Sequence, residues 1–537
     1  MTAALTRPRP VARARRAAVP LRDPGVLSLP IALVVAAVAG LAYSFAFPST
    51  AIWPLAFVGV GAGLLALRGR GFWSGALVAF VFGIVFWFSL IDWVTLFLGL
   101  VPLLALGTLQ ALLVAAGGGL IALAYRSISL LRPDRVGRFV VTPLVVAAAW
   151  TSREVVAGTW PYSGFAWGRM SLSQSTSPFA FLAAWLGLTG LSFVLVWLTA
   201  LGVALVTEPR GVGVRRRDAA LPRLLAATVA AAAVLAVPTF PITVSGSMRI
   251  AAVQPNTHAG YFDPLFDPAA NLRKTVKTTE GALNRGADLI VWPEGAAMFD
   301  PTRDPGMQQQ LAVVTEVAGA PLLTGAITER NGKAYNSSLL WTPNVGITAL
   351  YDKVRPVPFG EYVPDRAFWT PFAPDLLKMV GRDYTPGTRS SVLRVGDVPI
   401  GVNICFDIVD DGLMLGSVAD GAQVLVAQTN NADFGRTDEN EQQLGIARLT
   451  AIATGRSLVS DSTVASTAAF GPDGRALATT EPFTATTMVV DVPRATGITP
   501  AVSFGVPLGA TIALLGAILP LLLAALARPL RRRWGRA

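Results

Sequence analysis

Cys405 is the only cysteine among 537 residues, and it stands where an apolar run meets an acidic turn, in Val398-Pro399-Ile400-Gly401-Val402-Asn403-Ile404-Cys405-Phe406-Asp407. Val398 to Ile404 is expected to be a buried strand, and Asp407, Asp410 and Asp411 with Gly412 the turn and helix start after it. A free cysteine usually packs as a small hydrophobe, so its company decides the reading. Two other polar residues leave apolar strands in the same way: Glu294 in Trp292-Pro293-Glu294 and Lys353 in Tyr351-Asp352-Lys353. Active-site groups of open α/β sheets collect at the carboxyl ends of strands. A carboxylate can take the thiol proton, an ammonium can stabilise both thiolate and oxyanion, and the thiolate is the nucleophile. Each residue also has an ordinary explanation, Glu294 as a helix-capping acid and Lys353 as half of a solvated pair with Asp352. With one cysteine and one histidine, His258, neither an intrachain disulfide nor a Cys/His metal cage is expected, and no cofactor is implied.

Composition says where such a site must work. The chain is 53% hydrophobic and only 14% charged, with a mean hydropathy of +0.53, whereas ordinary soluble domains carry roughly a quarter charged residues. An integral membrane protein is indicated. The formal charge of +11 comes from 44 bases against 33 acids. Its arginines cluster beside apolar runs, which suggests membrane orientation signals before nucleic-acid binding. Residues 1–23, with Arg7, Arg9, Arg13, Arg15, Arg16 and Arg22, read as a basic, disordered cytoplasmic tail.

Seven candidate spans precede residue 241, at 27–47, 51–67, 72–91, 98–125, 139–157, 178–206 and 221–240, judged against the ~20 apolar residues a bilayer requires. Arg68 and Arg70 follow the second, Arg126, Arg132, Arg135 and Arg138 the fourth, and Arg210, Arg215, Arg216 and Arg217 the sixth, while the loops between are nearly free of positive charge. Alternate loops are therefore cytoplasmic, and the segment after the seventh span lies outside. A last span at 505–527 returns the chain to a basic cytoplasmic tail, 528–537. The expected architecture is a multi-span α-helical membrane domain (24–240, with an eighth helix at 505–527) plus an extracytoplasmic α/β domain at 241–504. Within that domain strands are expected at 248–253, 287–294, 321–327, 424–428, 457–460 and 468–470, helices at 271–284, 309–318 and 441–454, and a hairpin from 337–341 and 348–351. There is no internal repeat and no phosphate-binding glycine loop.

The order Glu294, Lys353, Cys405 resembles the triad of the nitrilase superfamily. More narrowly, the sequence is similar to the apolipoprotein N-acyltransferase family, its membrane-embedded branch. The most specific signal is Tyr351-Asp352-Lys353-Val354-Arg355-Pro356-Val357-Pro358-Phe359-Gly360-Glu361-Tyr362-Val363-Pro364, close to that family's Lys-x-x-x-Val-Pro-Phe-Gly-Glu-Tyr-Val-Pro run. Trp292-Pro293-Glu294, Tyr335-Asn336-Ser337 and Asn430-Asn431-Ala432-Asp433-Phe434-Gly435 support it. The sequence departs from the family pattern at Asp407, where a glutamate is frequent, and at Asp433, where a tryptophan is frequent.

The resemblance implies an αββα sandwich and a ping-pong acyl transfer. Glu294 would be the general base and Cys405 the nucleophile on the sn-1 ester of a phospholipid, while Lys353 and a backbone N–H near Phe406 would hold the oxyanion. The acceptor would be the α-amino group of a diacylglyceryl-cysteine on an apolipoprotein. Glu361 is implied as an auxiliary acid, and Phe406 and Asp407 as supporting residues. The implied place is the bacterial cell membrane, multi-pass, with both termini cytoplasmic. A polyprenol-phosphate glycosyltransferase is a candidate partner, since some relatives are fused to one. Phe368, Trp369 and Phe372, on an apolar arm between Glu361 and Thr385, are candidate lipid contacts, as are Trp160 and Trp167 in the loop after the fifth span. Two alternatives compete: a membrane-tethered amidase with the same triad, and a non-catalytic membrane scaffold.

Overall fold

The computed structural model describes residues 27–207, 216–260 and 263–534. The basic tail expected at 1–23, Arg210 and Arg215 of the third basic loop, and the last three residues of the chain lie outside them.

In an apolar medium a helix satisfies its own backbone, and the apolar runs fold accordingly. Among the described residues, five helical segments are long and apolar enough to cross a membrane: Phe72–Leu90, Leu100–Leu131, Gly137–Ala157, Ala180–Val206 and Pro500–Leu530. Three more, Leu29–Ser44, Pro54–Leu67 and Leu225–Leu235, are apolar but shorter. At ~1.5 Å per residue, 16 residues reach about 24 Å against a hydrocarbon core of about 30 Å, so five of the eight expected spans meet the length criterion and three fall short of it. Small residues let the long helices touch. A Cβ added at Gly118 would lie 2.1 Å from that of Ala79, and one added at Gly75 would lie 2.5 Å from that of Ala122, the close backbone approach typical of helices packed in lipid. The final helix begins at Pro500 rather than 505 and runs to Trp534. The stretch expected as the sixth span opens with a short 3-10 turn, Ala180–Leu182, and breaks at Gly187, whose φ is +68°.

The remaining chain forms two six-stranded sheets. Strands β1 (Val244–Gln254), β2 (Leu289–Val291), β3 (Leu322–Arg330), β4 (Lys333–Thr342) and β5 (Gly346–Asp352) join the last strand, β12 (Thr486–Ala495), in the order β12-β1-β2-β3-β4-β5. The second sheet has β6 (Val392–Val395), β7 (Val398–Ile404), β8 (Val424–Thr429), β9 (Ser457–Ser462), β10 (Ala468–Phe470) and β11 (Ala476–Thr479), in the order β11-β10-β9-β8-β7-β6. Side chains alternate faces along a strand. Ile250 and Ala252 of β1 thus share one buried cluster with Val424 and Val426 of β8, between the sheets. Ala251 and Val253 face Leu311 and Val314 of the helix Pro305–Ala318 instead. Leu425 and Ala427 point the other way from their neighbours, into a cluster with Met414 and Ile446 of the helices Asp411–Ala419 and Asp438–Thr454. The result is a helix, sheet, sheet, helix sandwich.

That last cluster continues into the membrane helices through Phe86, Trp87, Trp150 and Leu191. The helical layer behind the second sheet is therefore the layer seated on the membrane part. A Cβ added at Gly445 in the helix Asp438–Thr454 would come within 2.9 Å of Pro48 and 3.2 Å of Ser175.

Candidate active site

Each chemical residue sits just past a strand, where the ladder ends and the backbone can turn. Strand β2 stops at Val291 and not at Glu294 as expected, because Pro293 has no N–H to continue a ladder. Glu294 follows in the turn, which lies hard against β3. A Cβ at Gly325 would meet the Gly295 nitrogen at 2.5 Å and the Glu294 Cα at 2.7 Å, so only glycine admits this approach. Across the sandwich, the Gln428 side-chain amide at the end of β8 donates to the Trp292 carbonyl at 2.6 Å. Lys353 follows β5, and its backbone N–H donates to the Asn336 carbonyl at 2.8 Å. Cys405 follows β7 and opens a 3-10 turn, Cys405–Val409, before the helix Asp411–Ala419 begins. Its φ of +49° is left-handed and costs a non-glycine residue free energy.

Asp407 holds that conformation. Its carboxylate is fully buried and accepts from the Tyr351 hydroxyl at 2.7 Å, the Arg355 N–H at 2.8 Å and the Ile404 N–H at 3.3 Å. One side chain thereby ties the end of β5 and the segment after Lys353 to the turn that carries Cys405. Burial pushes its pKa up to about 6, against the opposing pull of Lys353 and these donors.

Glu294, Lys353 and Glu361 form one cluster. The Lys353 ammonium, 1% exposed, lies 3.2 Å from Glu294 Oε1 and 2.9 Å from Glu361 Oε2. The Asn336 amide divides its two hydrogens between the same carboxylates, donating at 2.7 Å to Glu294 Oε1 and at 2.7 Å to Glu361 Oε1. Glu361 Oε2 also accepts the Val357 N–H at 2.6 Å, and Glu294 Oε2 accepts the Asn430 N–H at 2.9 Å. A carboxylate has about four acceptor positions. Glu294 Oε1 has used two and Oε2 one, which leaves one on Oε2 for an incoming proton.

Burial raises the Glu294 carboxyl above its ordinary range, opposed by Lys353 and reinforced by Glu361. Burial works to discharge Lys353, but Glu294, Glu361, Cys405 and Asp407 together outweigh it and hold the ammonium well above the ordinary lysine value. Burial also drives the Cys405 thiol well upward, and the Glu294 charge adds to that while Lys353 opposes it. The resting sulfur is thus a thiol beside a carboxylate with room for its proton.

Known families match most of the chain. Residues 39–201 match the family described as Apolipoprotein N-acyltransferase N-terminal domain, and residues 249–499 match the Carbon-nitrogen hydrolase family. An apolipoprotein N-acyltransferase of Mycolicibacterium smegmatis is 29% identical over 550 residues, covering 95% of this chain and 89% of the relative. One of Geobacter metallireducens is 26% identical over 441 residues, covering 78% and 81%. The chain belongs to the apolipoprotein N-acyltransferase family. Among solved structures, an amidase of the nitrilase superfamily from Nesterenkonia AN1 is 19% identical, covering 47% of this chain and 94% of that one at a TM-score of 0.37.

Other residues singled out in the sequence part company. Phe406 is buried and stacks on Phe165 of the membrane part, the ring centroids 6.1 Å apart and the planes 12° from parallel. Trp160 is 60% exposed, as an interfacial aromatic would be, but Trp167 is 3% exposed. The expectation of a lipid-side wall from Trp167 is corrected: its indole N–H and that of Trp93 both donate to the Gln442 carbonyl oxygen, at 2.5 and 3.1 Å. A buried indole needs an acceptor, and this one fastens the membrane part to the helix Asp438–Thr454. On the arm, Phe368 and Phe372 are 59% and 71% exposed, while Trp369 is half-buried beside Phe359 and donates to the Tyr162 hydroxyl at 3.3 Å. Asp433 lies half-buried in a 3-10 turn, Ala432–Phe434, next to Asn430 and Asn431.

Sequence reasoning missed three residues near the sulfur. Gln443 lies 3.8 Å from Cys405 Sγ through its amide nitrogen, and behind it stand Asn431 and Glu439, all buried. The run Asp438-Glu439-Asn440-Glu441-Gln442-Gln443 reads as a solvated helix start. The available signal was its place eight residues after the Asn430-Asn431 turn, on a helix whose later turns are apolar.

Proposed function

We propose that this protein is an apolipoprotein N-acyltransferase that works at the extracytoplasmic face of a bacterial cell membrane, moving an acyl chain from a phospholipid to the N-terminal diacylglyceryl-cysteine of a lipoprotein. The observation that carries the reading is the ion pair of Glu294 and Lys353 past strand ends of the first sheet, with both charges acting on Cys405 at the end of β7, whose following turn packs through Phe406 into the cluster shared with the membrane helices.

In the first half-reaction the Cys405 sulfur attacks the sn-1 ester carbonyl as its proton passes to Glu294 Oε2. The oxyanion is held by the Lys353 ammonium and a backbone N–H near Phe406. Collapse breaks the ester C–O bond, the lysophospholipid oxygen takes the proton from Glu294, and a thioester remains on Cys405. In the second, the acceptor amine attacks that thioester and gives its proton to Glu294. The C–S bond breaks, and the thiolate leaves beside Lys353 and recovers the proton. Glu361 and Asn336 keep Lys353 and Glu294 in register through both halves.

Both substrates are lipids, and removing each methylene from an apolar surrounding costs about 0.8 kcal/mol, which favours a site reached from the bilayer. The arm with Phe368, Trp369 and Phe372 serves as the lipid-side contact. Alternate arginine-bearing loops favour both termini in the cytoplasm, the three shorter helices being completed by flanking residues or local thinning of the bilayer. None of these observations supports a glycosyltransferase partner.

The deciding experiment incubates purified protein with labelled phospholipid, quenches in acid and measures intact mass. An acyl adduct on Cys405, lost with hydroxylamine and missing from Cys405→Ala, is expected. A fully folded protein that gives no adduct but hydrolyses small amides would replace the acyltransferase with an amidase.

A further inference from the structure

A second buried polar chain reaches the same sulfur, and it belongs to none of the roles assigned above. The Gln443 amide nitrogen is 3.8 Å from Cys405 Sγ, and the Gln443 oxygen accepts from Asn431 Nδ2 at 2.9 Å. Asn431 Nδ2 gives its other hydrogen to Glu439 Oε2 at 2.8 Å. The Asn431 oxygen accepts from the Thr429 hydroxyl at 2.8 Å and the Ser462 hydroxyl at 2.6 Å. Glu439, Asn431 and Gln443 are 2%, 1% and 3% exposed.

The orientation of each amide follows from its neighbour. An ionised carboxylate only accepts hydrogen bonds, so Asn431 must present its NH2 group to Glu439. The second hydrogen of that NH2 then faces Gln443, which must answer with its oxygen. Only the Gln443 NH2 remains for the sulfur. Reversing either amide would set NH2 against NH2, or oxygen against carboxylate, in a place from which water is excluded, and unsatisfied buried groups are costly.

We infer that Gln443 is a catalytic hydrogen-bond donor to the Cys405 sulfur, aimed by Glu439 and Asn431 as positioning residues. Such a donor favours the thiolate over the thiol, both when the sulfur attacks and when it leaves the thioester. The need is plain from the surroundings. Apart from burial, the charges facing Cys405 are Glu294, Glu439 and Glu361, which disfavour the thiolate, and Lys353, which alone among them favours it. Gln443 adds stabilisation without adding a cation that would compete for Glu294. The 3.8 Å separation belongs to the neutral thiol, and catalytic contacts of this kind shorten as charge develops. Burial pushes Glu439 up to about 7, with its Asn431 bond pulling the other way, so above that pH the carboxylate that sets the orientation is ionised.

The inference rests on Cys405 as the nucleophile, and its test reads the sulfur without any lipid. Because Cys405 is the chain's only cysteine, iodoacetamide uptake by the full-length protein in lipid nanodiscs can be followed by intact mass across pH 6 to 10. Loss of one bond to a charged group slows thiolate formation about tenfold, so Gln443→Met, of similar length but with no donor, should alkylate about ten times more slowly with a midpoint shifted to higher pH. Asn431→Leu, which changes no charge, should act in the same direction by releasing the Gln443 oxygen that Asn431 now holds. Gln443→Leu carries the same expectation and decides the matter if the methionine variant fails to fold, as judged by its melting transition. Cooperative melting with unchanged rate and midpoint in either donor-less variant would overturn the inference. Slowed alkylation combined with no acyl adduct in the wild type would instead leave it standing and remove the acyltransferase reading.

Discussion

Arg169 and Asp411 meet in a two-pronged ion pair, Nη1 to Oδ2 at 2.7 Å and Nη2 to Oδ1 at 3.0 Å. Arg169 follows the loop that carries Phe165 and Trp167, and Asp411 opens the helix after the Cys405 turn. With the Phe165–Phe406 stack and the Gln442 bonds to Trp93 and Trp167, it makes three separate ties between the membrane part and the chain around the sulfur. The reactive turn is set by the membrane helices as well as by its own sheet. The side chain of Arg169 is 8% exposed and that of Asp411 23%. Removing one member of a fully buried pair costs about 3–5 kcal/mol, and the residual exposure of Asp411 reduces that to about 2 kcal/mol. Arg169→Ala should therefore lower the melting temperature by several degrees and slow acyl transfer. Arg169→Lys keeps the charge but loses the fork, and should recover only part of each. Unchanged melting and activity in the alanine variant would show that the tie is dispensable.

Gly325 leaves no room for a side chain beside Glu294. Overpacking of this kind typically costs about 1–3 kcal/mol, and here the atom displaced first is backbone of the turn that carries Glu294. Gly325→Ala should reduce the rate of N-acylation at least tenfold, with a smaller loss of thermal stability. Gly319, where an added Cβ would meet nothing within 4 Å, controls for a general effect of side chains at glycine: Gly319→Asn should leave the rate near the wild-type value.

The parts of this architecture that were legible in the sequence are those with a local signature. Val398 to Ile404 is apolar and bounded by a turn, and it is β7. Lys353 and Glu361 sit in one continuous motif and do meet. Strand β12 escaped notice because Asp491 and Pro493 interrupt it, which an edge position tolerates. Trp167 and Trp160 lie in one short aromatic loop, and nothing local says that one faces outward while the other finds Gln442, 275 positions away. The same limit hid Gln443: a glutamine on a polar helix start is unremarkable until the fold lays that helix beside a sulfur.

Asp407 gives a pH prediction with a definite sign. Its pKa rises to about 6 on folding, from about 3.9 in an unfolded chain. The folded state therefore holds the proton more tightly. The associated stability is fully present below about pH 4 and is lost as pH rises through about 6, a difference near 3 kcal/mol at most. Asp407→Asn cannot titrate and also gives up one of the three donors now satisfied. Wild type should thus exceed the variant most at acidic pH, with the gap in melting temperature narrowing between about pH 4 and 6. A gap that widens over that interval would mean the carboxylate is stabilised as the anion.

Phe368 and Phe372 are the exposed aromatics of the arm, packed on one another with ring centroids 5.5 Å apart. Neither fills the core, so changing both to serine should alter thermal stability by no more than about 0.5 kcal/mol each. If the arm meets lipid, the cost appears elsewhere. A buried aromatic side chain contributes about 1.5–3 kcal/mol, so the double variant should need roughly tenfold or more phospholipid in mixed micelles for half-maximal acylation of Cys405. The maximal extent of acylation should stay the same, because Glu294, Lys353 and Cys405 are untouched. Iodoacetamide uptake, which involves no acyl chain, should also be unchanged. Equal phospholipid dependence in the two proteins would return the arm to the role of a surface loop and move the lipid contact to the side of Trp160.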